Sequence, residues 1–107
     1  MAAFKDIDPA AFVALRAAEK ITLIDVRTDA EVARGIISGA IHIPLQTLPG
    51  RIGELDPSAA IVVYCQSGMR SAQACGFLAM RGYGDVANLQ GGLIAWARAG
   101  FQLDPPG

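Results

Sequence analysis

The residue of this sequence best suited to covalent chemistry is Cys65. It directly follows Ile61–Tyr64, an apolar run rich in β-branched residues that predicts a strand. Residues 66–70 must then turn back to begin a helix at Ser71 or Ala72. In such a turn successive backbone N–H groups converge on one point, and the positive end of the helix dipole reinforces them. The sequence therefore predicts an anion-binding cup, formed by residues 65–71, with a cysteine at its base.

The predicted cup also favours the reactive form of the cysteine. Backbone donors and the nearby cation Arg70 stabilise a thiolate over a thiol, which makes Cys65 a candidate nucleophile near neutral pH. Gly68 supplies the conformational freedom that the turn needs. A phosphate group would be cradled by the same elements, so the local physics of the loop leaves the transferred group open.

Composition and charge indicate an ordered chain without a broad basic surface. The 107 residues are 52% apolar and 18% charged, which suits one compact domain over 1–107 with a frayed tail over 102–107. The net charge of −1 argues against nucleic acid or an anionic membrane as the main partner. We find no apolar leader or membrane span in the sequence, which favours the cytoplasm.

The elements that must position the cup alternate between strand and helix. Predicted strands cover 21–26, 40–43, 61–64 and 86–89, and predicted helices cover 9–18, 28–35, 72–80 and 93–98, with a broken helical stretch over 45–55. Short connections between such elements imply a parallel sheet with helices on both faces. Ligands of these folds bind beyond the carboxyl ends of the strands, which is where Cys65 falls.

Four segments make the chain resemble the rhodanese superfamily over nearly its whole length. They are Asp25-Val26-Arg27, the stretch from Glu31 through Gly35 to Pro44, the loop from Cys65 to Ser71, and Gln90-Gly91-Gly92 with Trp96. The resemblance implies an α/β rhodanese-like fold with a central, mostly parallel sheet of about five strands and helices on both faces. In that family a cysteine opens a six-residue loop that closes on an arginine, and Cys65 to Arg70 matches this spacing. Related phosphatases have a loop longer by one residue, so the spacing argues against phosphatase activity.

The resemblance further implies a sulfur-transfer cycle at Cys65. Its thiolate would take the outer sulfur of thiosulfate or a persulfide donor, and the resulting persulfide would pass that sulfur to cyanide or a thiol. The implied site needs no metal or organic cofactor, and a protein could serve as donor or acceptor. The implied substrate-binding residues are Gln66, Ser67, Gly68, Met69, Arg70 and Ser71. The alternative is a non-enzymatic persulfide carrier or interaction module that works with a partner protein.

Two positions depart from the family pattern. Ile36 stands where a histidine is common, and this change is expected to affect structure more than chemistry. Gln66 stands where a charged residue often follows the cysteine. Without a cation there, turnover of the dianion thiosulfate is expected to be weak, and a persulfide becomes the better donor.

Several other conspicuous side chains are assigned to structure. Their positions in an apolar helix, at a strand-to-helix junction or in a strand far from Cys65 favour packing, ion pairing and capping over catalysis. These residues are Cys75, Asp25, Arg27, Glu31, His42 and Trp96. The sequence leaves the role of Arg70 open between contacting an anion and bracing the loop.

Overall fold

The computed structural model describes residues 3–106 and has a five-stranded, wholly parallel sheet at its centre. The strands are β1 (Lys5–Ile7), β2 (Thr22–Asp25), β3 (Ile41–His42), β4 (Ile61–Tyr64) and β5 (Val86–Leu89). Their order across the sheet is β1-β5-β4-β2-β3, which places β4 in the middle. The predicted parallel α/β architecture is confirmed. The edge strand β1 was not predicted, because a three-residue strand with two exposed side chains has no apolar run.

In the described part of the chain four helices connect these strands and a fifth follows β5. They are α1 (Pro9–Ala18), α2 (Asp29–Val32), α3 (Leu48–Arg51), α4 (Met69–Met80) and α5 (Gly92–Arg98), with single 3₁₀ turns at Leu45–Thr47 and Ile52–Glu54 on either side of α3. Asp8 caps α1 by accepting the N–H of Ala11 at 2.8 Å, as its position before Pro9 predicts. The prediction that α4 begins at Ser71 or Ala72 is wrong. The left-handed conformation of Gly68, with φ +97°, lets the helix begin at Met69.

Both faces of the sheet are buried against helices. Along β4, Val62 and Tyr64 pack against the side chains of Phe12, Leu93 and Trp96 from α1 and α5. The alternate residues of the same strand face Leu48 of α3 and the α4 residues Ala74, Cys75 and Leu78. The two-residue side-chain period of a strand thus divides the core into two layers. The predicted placement of helices on both faces is confirmed.

The segment after α5 is attached to the domain as far as Asp104. The indole N–H of Trp96 donates to the carbonyl of Gln102 at 3.0 Å. The backbones of Ile36 and Asp104 exchange two hydrogen bonds, of 2.8 and 2.7 Å. The predicted fraying of 102–107 is therefore wrong for 102–104, because these contacts satisfy backbone groups that a frayed tail would leave to water.

The single domain over 1–107 stays a prediction, and Met1, Ala2 and Gly107 at its ends lie outside the described residues. Across the described residues no helix is long and apolar enough to span a bilayer.

Candidate active site

Cys65 lies at the carboxyl end of the central strand β4, at the base of the cup. Its Sγ atom accepts the backbone N–H of Gly68 at 3.1 Å and that of Ser71 at 3.4 Å, and the hydroxyl of Ser71 lies 3.4 Å away. The cysteine is fully buried beneath the loop. The arrangement concentrates positive dipole ends on one sulfur atom, which is the geometry that stabilises an anionic sulfur.

The first turn of α5 orients the first two peptides of the loop, those that follow Cys65 and Gln66. The N–H of Leu93 donates to the carbonyl of Cys65 at 3.0 Å, and the N–H of Ile94 donates to the carbonyl of Gln66 at 3.1 Å. The carbonyl and N–H of one peptide point in opposite directions. Because α5 holds these two carbonyls, the N–H groups of the same peptides, those of Gln66 and Ser67, point the opposite way, and that of Ser67 is among the donors that lower the pKa of Cys65.

Gly92 makes this close approach of helix and loop possible. A Cβ atom at that position would lie 2.7 Å from the carbonyl oxygen of Gln66 and closer still to that of Cys65. Real Cβ atoms do not approach backbone atoms so closely. Two glycines before the predicted helix over 93–98 indicate a helix start, and the structure adds that Gly92 is the point where α5 touches the loop.

Asn88 is a buried polar residue that sequence reasoning missed. Its Nδ2 donates to the carbonyl of Gly68 at 3.1 Å and to Asp6 at 3.3 Å, while its Oδ1 accepts the hydroxyl of Ser71 at 2.6 Å. Asn88 therefore holds two of the residues whose groups face Cys65 Sγ. The available signal was a lone amide in the otherwise apolar strand β5.

The surroundings of the two cysteines change their pKa values in opposite directions. Burial raises the pKa of the Cys65 thiol, but hydrogen bonds from Ser71, Gly68 and Ser67 outweigh it and lower the pKa overall. Burial raises the pKa of Cys75 to about 12 with no compensating donor among its causes. Cys65 is the thiol prepared for ionisation, and Cys75 is core.

We expect the thiolate of Cys65 to form with a midpoint below pH 9.0, the ordinary value for a cysteine. Its buried donors favour the charged form, so the thiolate is retained above the lowered pKa and lost by protonation below it. Ultraviolet thiolate absorbance during a pH titration measures this midpoint without requiring access of a reagent. Cys75→Ala should leave the titration unchanged and Cys65→Ser should remove it. A midpoint at or above pH 9.0 would contradict the assignment of the cup as a thiolate site.

Arg70, the residue that closes the loop, forms an ion pair across the site. Its guanidinium donates to both carboxylate oxygens of Glu31, at 2.7 and 2.8 Å. The Arg70 hydrogen bond is the largest cause that lowers the pKa of Glu31, to about 2. Of the two roles that the sequence left open for Arg70, the structure supports bracing of the loop.

Arg27 supports the segment that carries Glu31. It forms a buried ion pair with Asp25 at 2.8 Å and donates to the backbone carbonyls of Gly35 at 2.7 Å and Glu31 at 3.3 Å. His42 belongs to the same junction, with its Nε2 lying 2.7 Å from the Arg27 carbonyl. The structure thus gives Asp25, Arg27 and His42 contacts that position the backbone.

A groove of about 460 Å³ opens beside the loop. It is lined by Arg27, Glu31, Arg34, Gln66, Leu93, Ala97 and Leu103. Within 3–106 no three His, Cys, Asp or Glu side chains are grouped as a metal site. The groove has both charged and apolar walls and lies next to Gln66, the residue that follows the cysteine, which suits a small polar substrate.

Comparisons with known proteins give consistent matches over most of the chain. A family profile described as "Rhodanese-like domain" matches residues 8–99. A protein of Allochromatium vinosum named "Sulfurtransferase" is 47% identical over 88 residues, which are 82% of each chain. "Thiosulfate sulfurtransferase GlpE" of Shewanella oneidensis is 31% identical over 99 residues, covering 92% of this chain and 98% of that protein. The crystal structure of a rhodanese-related protein from Thermoplasma volcanium superimposes with a TM-score of 0.85 at 30% identity, covering 94% of this chain and 98% of that one.

Proposed function

This chain belongs to the rhodanese-like domain family, and from that premise we propose that it transfers sulfane sulfur through a persulfide on Cys65. The observation that carries the proposal is the set of donors on Cys65 Sγ, the backbone N–H groups of Gly68 and Ser71 with the Ser71 hydroxyl nearby. A group of donors fixed before the reaction stabilises anionic sulfur without reorganisation. The relatives named sulfurtransferase support the same class of reaction.

The cycle has two displacement steps. The Cys65 thiolate attacks the outer sulfur of thiosulfate or a persulfide, forming a new S–S bond, and the electron pair of the broken bond leaves with sulfite or a thiolate. A thiol or cyanide then attacks the outer sulfur of the Cys65 persulfide, and the electron pair returns to Cys65 as its thiolate. Each step exchanges one bond to sulfur for another, and ping-pong kinetics are expected.

The six residues that follow Cys65 have different roles in the proposed cycle. Backbone N–H groups of Ser67, Gly68 and Ser71 stabilise the sulfur, as the causes of the lowered Cys65 pKa indicate. The exposed side chains of Gln66, Ser67 and Met69 form the rim of the cup, past which a donor must approach because Cys65 is buried. Arg70 braces the cup through Glu31.

A non-enzymatic persulfide carrier is the second candidate. The observation that favours it is Met69, which is 77% exposed on the rim of the cup and offers an apolar contact to a partner protein. A carrier would hold the persulfide and release sulfur to that partner alone. An enzyme would turn over with free thiol or cyanide.

The proposal is tested by intact mass after incubation with thiosulfate or an organic persulfide. We expect a gain of one sulfur atom, carried after digestion by the peptide that contains Cys65, and loss of the gain on addition of cyanide with formation of thiocyanate. The Cys75→Ala variant serves as the control and should gain the same mass. Sulfur on the Cys75 peptide alone would contradict the proposal, and a stable Cys65 persulfide without turnover would favour the carrier.

A further inference from the structure

The charged groups around the groove beside the cup occur mainly as neutralised pairs. Arg27 is paired with Asp25, and Arg70 is paired with Glu31. The remaining charged side chain that lines the groove is Arg34, which is exposed and forms no ion pair within 3–106. The cation that closes the catalytic loop therefore presents little net positive charge to an incoming anion.

The carboxylate of Glu31 is fixed in place from both sides. Besides its two contacts with Arg70, its Oε1 accepts the backbone N–H and the hydroxyl of Thr28 at 3.0 and 3.1 Å, in the capping box that begins α2. The pair is partly shielded from water, with side-chain exposures of 36% for Arg70 and 30% for Glu31. Its charges are screened less than those of a fully exposed pair.

We propose that Glu31 is a specificity-determining residue that sets which donor charge the site prefers. By cancelling the positive charge of Arg70, it disfavours a dianionic sulfur donor relative to a monoanionic one. This inference rests on the proposed function. Glu31 also lines the groove, so its negative charge acts on the donor directly as well as through Arg70. The preferred donor is thus an organic persulfide or another singly charged carrier of sulfane sulfur rather than thiosulfate.

Two donors that differ by one charge isolate this effect. Thiosulfate is a dianion and releases sulfite, whereas methanethiosulfonate is a monoanion and releases methanesulfinate. In both, the Cys65 thiolate forms a bond to the outer sulfur and the electron pair of the broken S–S bond leaves with the sulfur oxyanion. Intact mass follows the loading of Cys65 and gives a second-order rate constant for each donor. The quantity compared between variants is the rate constant for thiosulfate divided by that for methanethiosulfonate.

The variants change the local charge in known steps. Relative to wild type, Glu31→Gln raises the net charge of the pair by one unit, Arg70→Gln lowers it by one unit, and the double variant restores the original sum. A difference of one charge at contact range near a protein surface corresponds to about a five- to tenfold change in the ratio. We expect the ratio to rise by this factor in Glu31→Gln, to fall in Arg70→Gln and to return to the wild-type value in the double variant. The rise should shrink as ionic strength increases.

The matched control is Glu54→Gln, which breaks the exposed Arg51–Glu54 pair with the same change in net charge. An unchanged ratio in Glu31→Gln, or an equal rise in Glu54→Gln, would overturn the inference. If Glu31→Gln fails to fold, Arg70→Gln decides the question, because it leaves the Glu31 carboxylate without its partner, and a ratio that does not fall in this variant would overturn the inference equally. Failure of both donors to load wild-type Cys65 would contradict the proposed function, whereas loading by both with unmoved ratios contradicts the role of Glu31 alone.

Discussion

Cys65→Ser is expected to lower sulfur transfer by at least about 1,000-fold while leaving the fold intact. A serine hydroxyl does not ionise near neutral pH, and its oxygen cannot form the S–S bond on which the cycle depends. The smaller oxygen can still accept the N–H of Gly68, which donates to Sγ at 3.1 Å in the structure. The variant should therefore retain its helical circular dichroism and a thermal midpoint close to that of wild type. Thiocyanate production from each candidate donor measures the loss.

Cys75→Ala provides the matched control for this substitution. Cys75 is fully buried, and its raised pKa of about 12 keeps it protonated. Removing its sulfur deletes core contacts without touching the cup, so about 1 kcal/mol of stability is lost and transfer is retained. Full transfer by Cys65→Ser would rule out Cys65 as the carrier of sulfur, and abolished transfer in a folded Cys75→Ala would contradict the assignment of Cys75 to the core.

Gly92→Ala is expected to reduce the free energy of unfolding by about 3 kcal/mol or more and to lower transfer at least about tenfold. The added Cβ would collide with the carbonyl of Gln66 at 2.7 Å and with that of Cys65, and the backbone φ of +54° is unfavourable for alanine. These carbonyls accept the N–H groups of α5, so relief of the collision moves the loop and the donors that face Sγ. Chemical denaturation measures the stability, and donor kcat/KM measures the transfer.

Gly100→Ala separates the collision from the backbone strain. Gly100 follows α5 with a φ of +88°, yet a Cβ there would meet nothing within 4 Å. This variant should lose only about 1 kcal/mol, with transfer unchanged. Equal losses in the two variants would show that the contact between α5 and the loop has no special role.

These expectations separate two questions about the same loop. Cys65→Ser asks whether the sulfur atom is the carrier, and Gly92→Ala asks whether the direction of the loop peptides matters. A large loss in the first with none in the second would mean that the cup recovers its geometry without the close approach of α5. Large losses in both would support a nucleophile that depends on donors fixed by a neighbouring helix.

Local patterns in the sequence determined the parts of this protein that depend on neighbouring residues. The apolar run before Cys65 predicted β4 and the turn after it predicted the cup, while the resemblance to the rhodanese superfamily implied the sulfur chemistry. Thr28 and Glu31, three residues apart, form the capping box that this spacing predicts. Periodicity, caps and loop length act over a few residues, so a single sequence displays them directly.

Tertiary structure alone decided the contacts between segments that are distant in the chain. Arg70 is paired with Glu31, a residue 39 positions away, although the sequence left its role open. Asn88 joins the cup through Gly68, 20 positions away. Strand β1 exists because its backbone pairs with β5 at the other end of the chain. Such contacts depend on which elements the fold brings side by side, so the sequence pointed to Cys65 as the candidate nucleophile, while the assembled sheet and helices determined its electrostatic surroundings.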